Sequence, residues 1–218
     1  MTVVPLAFQL ASWIPAWWRG VVGGDELVDL IGPDLLDPLA GLRRTTTTVT
    51  AYCPELGVGV LPGPKPTTEA AVAAGQAVIL HAAPGQPASL LVPQGPAWSL
   101  LAAGPARPVS LDLRQAGADM ALAVVAAEQE LRGRDTAVAA PRGTPSARPL
   151  SPDAASQRRG LLVRAARLWT AVAAIPVDQR SPALDEVLRS AAAAALAAYS
   201  GSGPVAADSP ATRDRRPA

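Results

Sequence analysis

Few side chains in this sequence could carry out chemistry. His81 is the only histidine and Cys53 the only cysteine among 218 residues. A general base needs a substrate or nucleophile within reach and an orienting partner, and no carboxylate lies close to His81 in sequence. It stands at the end of an apolar run beside a turn and is expected to be a half-exposed strand-end histidine. Cys53, between Tyr52 and Pro54, reads as a buried structural thiol. A Cys53–His81 dyad is the one nucleophile–base pair of these two types that the chain could assemble. One cysteine and one histidine cannot supply a closed tetrahedral zinc site, which takes about four such ligands, and no acidic cluster suggests magnesium or calcium. No Gly-x-Ser-x-Gly elbow occurs. Glu128 and Glu130 are two residues apart and would leave a helix on different faces; Glu128 instead faces Arg132. The segment Gly57-Val58-Gly59-Val60-Leu61-Pro62-Gly63-Pro64-Lys65 superficially resembles a phosphate loop. Its prolines remove N–H donors, and Pro66 stands where a hydroxyl is needed, so it reads as a connector. These residues define no catalytic, cofactor or metal site.

Two further groupings point to binding. Eight arginines lie between Arg132 and Arg167, against Asp135 and Asp153 alone. A nucleic-acid face would interleave such charge with stacking aromatics or sit in a known module, and neither is visible. Lys65 is the only lysine, and the chain is rich in Ala, Pro and Gly; arginine enrichment then follows from a GC-rich coding sequence without a functional cause. The second grouping is Phe8, Trp13, Trp17 and Trp18, half of the aromatic residues in one short stretch. Trp13 and Trp17 share a helix face and are expected to anchor the core against a sheet, while Trp18 turns about 100° away. Tryptophan is over-represented at interface hot spots, so Trp13, Trp17 and Trp18 form the candidate partner surface.

The elements that must position these residues follow from periodicity. Leu6, Leu10, Trp13 and Trp17 predict a helix over 6–19, kinked or restarted at Pro15. Asp25 and Glu26 open a short second helix that Gly32-Pro33 stops, and Asp37 as N-cap with Pro38 opens a third. Thr45–Cys53 is β-branched and predicts a strand; Gly57–Leu61 is a shorter candidate. Thr67 is expected to cap a helix to Ala74, closed by Gly75. Ala77–His81 and Ser89–Val92 read as a hairpin around Pro84-Gly85, a type II turn signal, with Trp98–Ala102 and Val109–Leu111 as further strands. Asp112 caps a helix with Leu113, Gly117, Met120, Val124 and Leu131 on one face, closed by Gly133. Thr136–Ala155 reads as a flexible linker. Leu161, Ala165, Leu168, Val172 and Ile175 mark a helix ended by Pro176, and Ser181-Pro182 starts another to about Ser200. Ala191, Ala194, Ala195 and Ala198 of that last helix let a neighbour approach closely.

The expected fold is α+β: a small antiparallel sheet packed against helices, with a C-terminal αα-hairpin. The expected division is a domain over 1–134, a linker over 135–155, the hairpin over 156–200 and a disordered tail over 201–218. Net charge is +1, so no global field draws the chain to nucleic acid or membrane. The apolar run Pro5–Trp18 is too short to span a bilayer, lacks preceding basic residues and predicts no signal peptide, so a cytoplasmic location with no membrane span is expected.

Ala-Ser-Trp-Ile-Pro-Ala-Trp-Trp, Asp-Glu-Leu-Val-Asp-Leu-Ile, the strand ending before Leu61-Pro62-Gly63-Pro64 and the Ala73–Val78 segment together are similar to uncharacterised proteins of high-GC actinobacteria. The resemblance covers the first half of the chain, implies an actinobacterial source, and carries no catalytic motif and no assigned activity. The leading expectation is a non-enzymatic protein that acts through contacts with another protein. The alternatives are a small-molecule binder or enzyme with a dispersed site at the sheet–helix junction, using Tyr52, His81 or scattered carboxylates, and a weak arginine-mediated nucleic-acid binder.

Overall fold

The structure is a computed structural model that describes residues 5–54, 61, 63–106, 111–132, 150–152 and 154–199. The expected strand residues 57–60 and 109–110, Gly133, most of the expected linker and the expected tail lie outside the described residues. The architecture is α+β. In chain order the elements are α1 (Leu6–Trp18), α2 (Gly24–Ile31), α3 (Leu36–Leu42), β1 (Thr46–Tyr52), α4 (Lys65–Ala73), β2 (Ala77–Ala82), β3 (Pro87–Gln94), β4 (Ala97–Pro105), α5 (Leu113–Leu131), α6 (Ser156–Ala173) and α7 (Pro182–Tyr199).

α1 is apolar on most of its circumference, and most of its residues are buried. Pro15 does not end it; the helix runs on to Trp18. Pro5 offers no side-chain cap, so a distant residue supplies one: Gln76 Oε1 accepts from Ala7 N at 3.0 Å. Gly20, at φ +76, closes the helix. Gly20 N bonds Trp17 O (2.8 Å) and Val21 N bonds Ala16 O (2.9 Å), a Schellman pair that requires the left-handed residue. α2 opens with Glu26 reaching back to Gly23 N at 2.8 Å, and Asp25 joins it in the first turn. Asp37 is not the N-cap expected of it. A 3-10 turn over Pro33–Leu35 leads directly into α3, so Asp37 falls inside the helix.

The sheet is an antiparallel meander in the order β1-β2-β3-β4. At the β2–β3 turn, Gln86 N bonds Ala83 O at 2.9 Å and Gly85 has φ +82, the type II geometry read from Pro84-Gly85. Gly95-Pro96 closes β3–β4 with positive φ at the glycine. Side chains alternate across the sheet. Val49, Ala51, Cys53, Val78, Leu80, Leu91 and Trp98 face the core shared with α1. Tyr52, Ala77, Ile79, Ala88, Leu90, Val92 and Ala103 face a smaller core closed by Ala71 of α4.

α4 begins three residues earlier than expected, with Pro66 in its first turn, where a missing N–H costs nothing. Thr67 is therefore not a cap. Its hydroxyl donates to Ala102 O at 3.1 Å and ties α4 to β4. Asp112 does cap α5, accepting from Arg114 N and Gln115 N at 2.8 Å each. The C-terminal pair α6–α7 is present, and α7 also packs along α5. From Ser190 to Tyr199 nearly every residue of α7 is buried, because its alanines let both neighbours approach. Phe8 of α1 meets Trp169 of α6 and Tyr199 of α7 edge-on, at centroid distances of 6.4 and 6.0 Å. Ser12 and Ser151 join through a buried hydrogen bond of 3.1 Å, so the chain entering α6 is pinned to α1. None of the described helices is long and apolar enough to cross a membrane.

Candidate functional site

β2 places His81 on the α4 side of the sheet, in line with Ala77 and Ile79. β2 is an interior strand, and the ring is 2% exposed rather than the half-exposed residue expected from its place beside a turn. The threonine run of β1 meets it. Thr50 Oγ1 and His81 Nε2 share a hydrogen bond of 2.8 Å. Thr47 Oγ1 donates to His81 O and Ala82 O, both at 3.2 Å, where the β1–β2 register shifts. Among the described residues, Nδ1 has no hydrogen-bond partner of ordinary geometry. Burial pushes the imidazole below its usual value, and the Ala106 backbone opposes this weakly. The ring is thus a neutral, buried group bound to a threonine, out of reach of bulk solvent.

Cys53 lies on the opposite side of the sheet, in the core shared with α1. Strand alternation therefore separates it from His81, and the candidate dyad is not formed. Tyr52 shares the His81 face but pairs with Ala77, at the other end of β2. Burial, and secondarily the neighbouring Cys53, raises its phenol above the ordinary value, so it stays neutral. No group of three or more His, Cys, Asp or Glu among the described residues is placed to hold a metal ion.

The tryptophans are arranged differently from the expectation. Trp18, expected to turn away, is 3% exposed. Its indole donates to Leu39 O at 3.1 Å, satisfying one of the carbonyls left open near the end of α3. Trp13 and Trp17 are half-buried and pack against the edge of the same core. The inward stripe is Ala7, Leu10, Ala11, Ile14 and Trp18. Of the candidate partner residues, only Trp13 and Trp17 therefore retain substantial surface.

Of the eight clustered arginines, Arg159, Arg164 and Arg167 are exposed along α6, and Arg159 Nη2 donates to Pro152 O. The tryptophan of that helix, Trp169, faces inward, so α6 presents charge without a stacking platform.

The largest exposed apolar side chain of α5 lies off the face that its bulky residues mark. Leu122 is 68% exposed and Val125 49%. α5 buries Ala116, Met120, Ala123 and Ala127, which leaves Leu122 and Val125 on the far side with Ala118 and Ala121. The signal was available: residues 118, 121, 122 and 125 have i, i+3, i+4, i+7 spacing. The larger Leu113, Val124 and Leu131 drew the inward face towards themselves, whereas alanines make most of the actual contact. No protein-family model, curated protein or solved structure matches this chain.

Proposed function

We propose that this protein works by docking against protein rather than by catalysis. The observation that supports this reading is the apolar outer face of α5. Single exposed apolar residues are ordinary, but four on one stripe, opposite the face that packs on α7, resemble a helix prepared for a second neighbour. The half-buried Trp13 and Trp17 would add contact area if a partner reached α1. Less supports the alternatives: His81 and Cys53 are sealed on opposite sides of the sheet, and the exposed arginines of α6 lack aromatics between them.

The test is a photocrosslinking residue placed at Val125, and separately at Val177, in cells that encode the chain. Val177 is exposed on the turn between α6 and α7, outside the stripe. Discrete protein adducts from position 125 and not from 177 are expected. Absence of adducts at 125, or the same smear from both positions, would defeat the proposal.

A further inference from the structure

The geometry points to a second copy of this chain as the occupant of the α5 face, paired antiparallel about a two-fold axis near residues 121–122. This inference rests on the docking reading and names its partner. The first argument is steric. With that axis, Leu122 lies opposite the other copy's Ala121, and Val125 opposite its Ala118. Each large side chain meets a small one, the pattern that lets two helices interdigitate closely.

The second argument is charge. Arg114 and Glu128 flank the stripe at its two ends, and both are exposed. They are fourteen residues apart, which is close to a whole number of helical turns at 3.6 residues per turn, so both project from the same side of the stripe. An antiparallel two-fold keeps that side in register and reverses the ends. Each Arg114 then faces the other copy's Glu128, giving two symmetric ion pairs without like charges apposed. Neither side chain takes part in an ion pair among the described residues. A parallel two-fold would carry that side to the opposite flank of the pair, so Arg114 would meet no Glu128 of the other copy.

A single helix face is smaller than the ~1,600 Å² of a standard interface, so the pairing exchanges with monomer as concentration changes. Sedimentation equilibrium of the purified full-length chain tests it. Wild type is expected to shift from monomer to dimer with concentration. L122E, R114E and E128R are each expected to weaken association about ten-fold or more. The double variant R114E/E128R, which exchanges the two charges, is expected to recover it. All three substituted positions lie on the exposed face, and circular dichroism verifies that the fold is kept in all four variants. A wild type that stays monomeric to about 1 mM overturns the inference, as does a charge exchange that fails to restore dimers. If the chain is monomeric but position 125 crosslinks to a different protein, this inference fails while the docking reading stands. If neither occurs, both fail.

Discussion

His81 enters the fold as a neutral ring, because at 2% exposure a charge would lose most of its hydration and gain only a threonine hydroxyl. Its folded pKa is depressed, so the unfolded chain takes up the proton first, near the ordinary value of about 6.5. Its contribution to stability is therefore complete above that value and declines as pH falls below it. Urea midpoints measured from pH 7.5 down to 5.5 are expected to decrease for wild type and to flatten in H81Q; equal slopes would contradict the assignment. Gly104 allows a sharper test. A Cβ there would come within 2.5 Å of the Gly63 carbonyl oxygen, a backbone atom with little freedom to move. G104A is expected to lose about 1–3 kcal/mol in chemical denaturation, whereas Gly41, with open space around it, should accept alanine. At Trp18, replacement by phenylalanine keeps the apolar contact but removes the donor to Leu39 O. A loss of about 1–3 kcal/mol is expected, from a buried carbonyl left unpaired; no change in the denaturation midpoint would show that the bond is dispensable.

Helix starts differ in how well they are held. Asp112 accepts from two N–H groups of α5 at 2.8 Å, while Ser181 Oγ is 3.4 Å from Leu184 N at the start of α7. D112A should therefore cost about 1 kcal/mol, and S181A distinctly less; thermal melts of the two variants would reveal a reversed order. Much of this level was legible in the sequence. Asp112, Pro84-Gly85 and the β-branched threonine run each specify local geometry through their own chemistry, without reference to the rest of the chain. Helix orientation was harder to read. In α1, Leu6, Leu10, Trp13 and Trp17 have the same spacing as Ala7, Ala11, Ile14 and Trp18, so periodicity could not rank the two faces. Size favoured the wrong one. The inward side was decided by α2, α3 and the sheet, which no local pattern records. In α5 the same bias hid the outer stripe, because alanines make contact by letting backbones approach rather than by adding bulk. The burial of His81 is hidden for a related reason: the sequence shows its place beside a turn, but not that its strand lies between two others.

At the level of the whole molecule, α1 joins the sheet to the helical pair. Phe8 touches both Trp169 and Tyr199, and Ser12 holds Ser151 across 139 residues of sequence. F8A is expected to cost about 3–5 kcal/mol and, if the parts are coupled, to lower protection in α7 and in β2 together when amide hydrogen exchange is followed. Loss confined to α7 would mean that the sheet holds without it. These contacts also set the order in which the chain can complete itself. A ribosome releases α1, a helix apolar on nearly every side, before α6 and α7, which bring Trp169 and Tyr199 to Phe8. Until then its greasy surface has only α2, α3 and the sheet to shelter it. Contacts so distant in sequence slow folding and leave the nascent chain open to aggregation or to chaperones until α7 has emerged.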